Sequence, residues 1–131
     1  MAFQATHRFA RISPRKARLL MNLIRGRNVD DAITLLKFSK QRSSVMIEKV
    51  VRSAVANANE QEAAPSRSTL YVAKAWVDPG PVIKRFQPKD RGKAYSIKKR
   101  TSHLCVTVDE LAEGEEPGLE TGVGGRQGKA R

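Results

Sequence analysis

Aromatic residues are scarce in this chain: one Trp, two Tyr and four Phe among 131 residues. Any core it builds is therefore aliphatic. One cysteine, Cys105, excludes an internal disulfide and fits a reducing compartment. Two histidines, His7 and His103, give no zinc-ligand spacing with that cysteine, and no nucleophile–base arrangement is visible. No metal site, cofactor or catalytic residue is expected. No run approaches the roughly 18 apolar residues of a membrane span. The basic N-terminus is not followed by an apolar stretch and cleavage site, so no signal peptide is expected. Acidic residues are few as well, 13 against 25 Lys and Arg, for a net charge of +12. So large an excess in a single-domain length points to a polyanionic partner, nucleic acid before anionic membrane.

The charge lies in blocks. Residues 1–60 hold 12 basic and 4 acidic side chains, and residues 78–108 hold 8 and 2. Residues 109–131 reverse the sign with 6 acidic and 3 basic, and they are rich in glycine. They read as a disordered tail attached to a single domain over 1–108. The tail is either an inert extension or an intramolecular mask of the basic surface.

Local patterns give three helices followed by strands. Ser13 and Pro14 open the first helix as cap and first residue. Ala17, Leu20, Met21 and Ile24 form its apolar stripe, and Gly26 closes it. A second helix spans Val29 to Phe38, with Asp30 and Asp31 in its first turn and Lys37 in its last. The third, Gln41 to Asn59, carries Ile47, Val50, Val51, Ala54 and Ala58 on one face. From Leu70 to Val77 the composition turns to strand formers. A partner strand is expected from about Lys93 to Val108, ending in the alternating Leu104–Val108 run. Between them, about residues 78–100, lies a long cationic hairpin with too few apolar residues to bury itself. Trp76 and Cys105 read as core residues.

Three segments carry the chemistry. Lys84, Arg85, Lys89, Arg91 and Lys93 crowd ten residues, with Phe86 and Tyr95 available to stack on unpaired bases. Lys98, Lys99 and Arg100 are consecutive in a strand and so put charge on both faces. Thr101, Ser102 and His103 add hydrogen-bonding groups suited to phosphates and sugars. Arg8, Arg11, Arg15, Lys16 and Arg18 surround the start of the first helix, whose N-terminus itself attracts phosphate. The plainer readings are a solvated loop, an edge strand protected by lysines, and a solvated amphipathic helix. A helix-turn-helix DNA reader is also conceivable across Gly26, but the second helix starts acidic and lacks base-reading side chains. A membrane-surface role lacks an aromatic insertion face.

Five motifs in register, Ser13–Arg18, Ser53–Ala58, Gly80-Pro81 with Lys84–Pro88, Gly92–Ala94 and Lys99–His103, resemble one family. It is large-subunit ribosomal protein twenty-two, in its bacterial or organellar form, over about residues 5–108. The resemblance implies an α+β fold: three helices packed on a small antiparallel sheet, with a long extended β-hairpin protruding from the body. It implies a non-enzymatic ribosomal component, in a cytoplasmic or organellar ribosome, that binds several domains of large-subunit ribosomal RNA and aids assembly. Its neighbours would be other ribosomal proteins. The hairpin tip, here Arg85, Phe86, Gln87, Pro88, Lys89, Asp90, Arg91, Gly92 and Lys93, would line the nascent-peptide exit tunnel near the macrolide-binding region. Asp90 departs from the family pattern, where a small residue is usual, and is expected to pair with Lys89, Arg91 or a bound cation.

Overall fold

Pro14 takes the first helical position, where a missing N–H is harmless, and starts α1 (Pro14–Ile24). The computed structural model describes residues 2–61 and 70–111. Ala17, Leu20, Met21 and Ile24 are buried on one face of α1, as their spacing requires. Ser13 does not cap the helix with its side chain; the half-buried residue lines a cleft instead. Gly26, at φ 77°, turns the chain out of α1 in the left-handed region. Its N–H then donates to the Val72 carbonyl at 2.9 Å, and the Arg27 carbonyl accepts from Val72 at 2.9 Å. The helix exit is thereby fastened to the sheet.

The next two helices, α2 (Val29–Phe38) and α3 (Arg42–Gln61), complete the helical layer. Asp30 and Asp31 at the start of α2 and Lys37 at its end complement the helix dipole. The stripe of α3 is buried, and the small Ala54 and Ala58, fully buried, let it lie close against its neighbours.

Among the described residues, five strands follow an antiparallel plan. In the body, β1 (Phe3–Ala10), β5 (Ser102–Glu110) and β2 (Leu70–Pro79) form a sheet of order β1-β5-β2. The central β5 pairs Phe3 with Val108 on one side and Val77 with Leu104 on the other. Leu104, Val106 and Val108 meet the three helices in a core of aliphatic side chains in which Phe3 is the aromatic member. β1 has no counterpart in the pattern-based reading. Only Phe3 and Ala5 alternate inward before four exposed residues, and the strand is held by pairing rather than by its own periodicity. The expected strand from Lys93 to Val108 is two strands, because pairing breaks at Arg100 and Thr101. β5 also continues past Val108, pairing Asp109 with Tyr71 and Glu110 with Leu70. The remainder of the expected tail, residues 112–131, lies outside the described residues.

Trp76 is not in the core. It shares the sheet face opposite the helices with Cys105, its pairing partner, and its indole N–H donates to Asp78 Oδ2 at 3.2 Å. Cys105 is buried on that same outer face, where Thr6 Oγ1 donates to its sulfur at 3.6 Å. The strand pattern told buried from exposed at Cys105 but not which layer it joined.

A second sheet stands apart: among the described residues, β3 (Ile83–Lys89) and β4 (Lys93–Lys99) pair only with each other. Seven cross-strand pairs make a ribbon about 23 Å long at ~3.3 Å per residue. It is exposed along almost its whole length, as its hydrophilic sequence demands. The turn Asp90-Arg91-Gly92 has positive φ at all three residues (42°, 54° and 85°). At the root, Thr101 Oγ1 donates to the Pro81 carbonyl at 2.6 Å and the Gly80 N–H to the Thr101 carbonyl at 2.9 Å. A Cβ on Gly80 would stand 2.5 Å from Thr101 Oγ1, so the close crossing needs glycine.

Candidate nucleic-acid interface

The buried Ile12 anchors the turn between β1 and α1, and that turn faces the root of the ribbon. Between them opens a cleft of about 540 Å³ lined by Arg11, Ser13 and Lys16 on one wall and Ile83, Arg85, Lys99 and Arg100 on the other. Arg42, at the start of α3, completes it. Six cations from four segments converge there, and among the described residues no acid lines the cleft. Packed cations without counter-charge raise the local potential and favour a polyanion. Arg42 escaped sequence reasoning because, beside Lys37 and Lys40, it reads as an ordinary cation at a helix start, far in sequence from the other basic segments; the fold brings it to Arg11 and Arg85.

Cross-strand pairing sorts the ribbon residues by face. Arg85 stands opposite Ile97, Ile83 opposite Lys99, Gln87 opposite Tyr95 and Lys89 opposite Lys93. This face carries Arg85, Lys89, Lys93, Lys99 and the 47% exposed Tyr95, and continues into the cleft. The other face carries Lys84, Lys98 and Phe86, whose ring is 76% exposed. Both faces are cationic and each bears one aromatic ring. Arg91 is exposed in the turn. Asp90 makes no ion pair with Lys89 or Arg91; its backbone carbonyl accepts the Lys93 N–H at 3.2 Å and closes the turn.

The remaining expected residues divide. Arg8 and Arg15 are exposed, outside the cleft. Arg18 is partly committed elsewhere: its Nη2 donates to the Val77 carbonyl at 3.1 Å. Arg25 makes the same kind of bond to the Ala75 carbonyl, so two arginines of α1 and its cap occupy acceptors along the edge of β2. Such side chains blunt an edge strand against further pairing. Ser102 is fully buried between Ala10 and Pro79, and Thr101 is buried with its hydroxyl engaged at Pro81. The fold therefore removes both hydroxyls from the solvent-facing set, because the strand that carries them enters the body there.

His103 is half-buried and holds a local feature of β1. The register slips between His7 and Ala10, and Phe9 sits in the bulge at φ 58°. That left-handed conformation costs a non-glycine residue about 1–2 kcal/mol. The Phe9 N–H donates to His103 Nδ1 at 3.0 Å, which requires Nδ1 unprotonated. The Phe9 ring meets the imidazole edge-to-face, with centroids 5.0 Å apart and planes at 85°. The Arg8 guanidinium lies over the Phe9 ring, 5.3 Å from its centroid. Among the described residues there is no group of His, Cys, Asp and Glu able to hold a metal ion.

A family model described as "Ribosomal protein L22p/L17e" matches residues 5–109. The chain belongs to this family. Proteins named "Large ribosomal subunit protein uL22" from Thermoanaerobacter sp. and Thermoanaerobacter pseudethanolicus are each 49% identical to it over 110 residues, 84% of this chain and 98% of theirs. The protein of that name from Carboxydothermus hydrogenoformans is 46% identical over 114 residues, 87% of this chain and 100% of its own. Membership makes the chain a structural, non-enzymatic component of the large ribosomal subunit, located in the ribosome. The α+β body with its protruding ribbon agrees with that assignment.

Proposed function

We propose that the chain binds large-subunit ribosomal RNA through the cleft at the ribbon root and through both faces of the ribbon, and that the turn at its tip lines the nascent-peptide exit tunnel. The observation that carries the RNA reading is the convergence of Arg11, Lys16, Arg42, Arg85, Lys99 and Arg100, with no acid between them among the described residues. Phosphates entering the cleft neutralise these charges and release counterions. The arginines supply forked hydrogen bonds to phosphate oxygens, while the lysines act as point charges. Because the ribbon is cationic on both sides, it suits a position within folded RNA, touching more than one RNA domain and so aiding assembly. The parts of the body that do not line the cleft are left to neighbouring ribosomal proteins. Of the residues expected at the tip, those from Lys89 to Lys93 close the far end of the ribbon and would meet a nascent peptide, whereas Arg85 belongs to the root, where it lines the cleft.

Filter binding to large-subunit ribosomal RNA over a salt series tests the first part. Alanine at Arg42 or Lys99 is expected to lower the slope of log affinity against log salt by about one. An unchanged slope for both removes the cleft from the interface. A photo-crosslinking side chain at Arg91, in assembled ribosomes translating a stalled peptide, tests the second. Crosslinks to the nascent chain are expected, and crosslinks to RNA alone refute the tunnel placement.

A further inference from the structure

We infer that Phe9 is a base-stacking platform, on which an unpaired nucleobase of the bound RNA takes the place that the Arg8 guanidinium holds over the ring in the free protein, Arg8 moving off to meet its phosphate. The inference rests on the RNA-binding reading above and adds to it a second kind of contact. Phe9 occupies a left-handed backbone conformation at the β1 bulge, where glycine would be the unstrained choice, and its ring is nonetheless 55% exposed. The ring takes no part in the core and is held outward. Two contacts hold it: the backbone hydrogen bond from Phe9 to His103 Nδ1, and the edge-to-face meeting of the two rings. The ring is therefore oriented before any ligand arrives, unlike the 91% exposed Phe38, for which no ring contact exists among the described residues. Cations adjoin it on both sides in sequence. Arg8 lies over the ring, and Arg11, two residues on and within about 7 Å of chain, lines the cleft. A strand whose phosphates occupy the cleft is thus led past the ring. Stacking on an aromatic face is tolerant of base identity, so the ligand class is any unpaired base.

Two variants of the full chain test this against large-subunit ribosomal RNA. Phe9→Gly removes the ring and relieves the backbone, so thermal melting is expected to stay near that of the parent. Its affinity is expected to fall roughly five- to a hundredfold, with the salt slope unchanged, because no phosphate contact is lost. Phe9→Trp in a Trp76→Phe background places the only indole at the platform, and its emission is expected to be quenched as RNA binds. Parent-like affinity of Phe9→Gly, or an indole whose emission stays constant while filter binding saturates, overturns the platform. If the Arg42 and Lys99 variants still lose affinity in that case, the RNA-binding reading stands without it. If they too bind like the parent, both fail.

Discussion

Lys84 stands directly opposite Lys98 across the β3–β4 ribbon, and Lys89 stands opposite Lys93 at its far end. Like charges in such pairs repel, and nothing in an exposed two-stranded ribbon offsets them. The arrangement makes sense only when anions surround the strands. Lys98→Glu is expected to convert the first pair into an attraction of about 0.2–1 kcal/mol in the isolated protein. Amide hydrogen exchange in β3 and β4 should slow, while affinity for ribosomal RNA should fall. Slower exchange together with tighter RNA binding would contradict the role assigned to this pair.

The position of the cations should matter more than their number. Replacing Lys98, Lys99 and Arg100 together by alanine removes charge from both ribbon faces and from the cleft. Replacing Lys37, Lys40 and Lys49 removes the same charge from residues that do not line the cleft. The first triple variant is expected to lose clearly more RNA affinity at equal ionic strength. Equal losses in filter binding would show that net charge alone governs association.

Much of the fold was legible because helices announce themselves in a short window. The stripe Ala17, Leu20, Met21, Ile24 and the stop at Gly26 are local facts, and they hold in three dimensions. The ribbon was legible for the opposite reason, its lack of residues able to bury. β1 was not, since a strand with two inward apolar residues owes its existence to β5, about a hundred residues away. The same non-locality hid Arg42, which joins the cleft only after α3 packs. It misplaced Ser102, whose motif reads as polar surface although the strand carries it into the body. It also misplaced Trp76, because alternation says that two faces differ but not which one the helices cover.

The root crossing should be intolerant of a methyl group. Gly80→Ala places a Cβ against Thr101 Oγ1, with the Thr101 carbonyl carbon and oxygen at 3.2 and 3.3 Å. Moving the hydroxyl aside does not clear the backbone, so a loss of about 1–3 kcal/mol is expected in chemical denaturation. Gly92→Ala meets no atom within 4 Å and suffers only from φ of +85°. That cost, about 1–2 kcal/mol, falls on the ribbon tip and should leave the melting of the body unchanged. Equal destabilisation of the body by both substitutions would mean that the crossing is not the constraint at Gly80.

Arg18 and Arg11 sit seven residues apart around one helix start, and sequence alone gives them the same role. The structure separates them. The guanidinium of Arg18 bonds the Val77 carbonyl on the edge of β2, whereas Arg11 lines the cleft. Arg18→Ala therefore strips a partner from a sheet-edge acceptor, and a stability loss of about 1 kcal/mol is expected, in the range of a single charged hydrogen bond that is partly exposed. Its effect on the salt slope of RNA binding should be small. Arg11→Ala should do the reverse, lowering the slope by about one with little change in denaturation midpoint. Measured side by side, the two variants distinguish a cation that organises the protein from one that meets the nucleic acid. An Arg18 variant that melts like the parent and loses a full unit of slope would return that residue to the RNA-binding set.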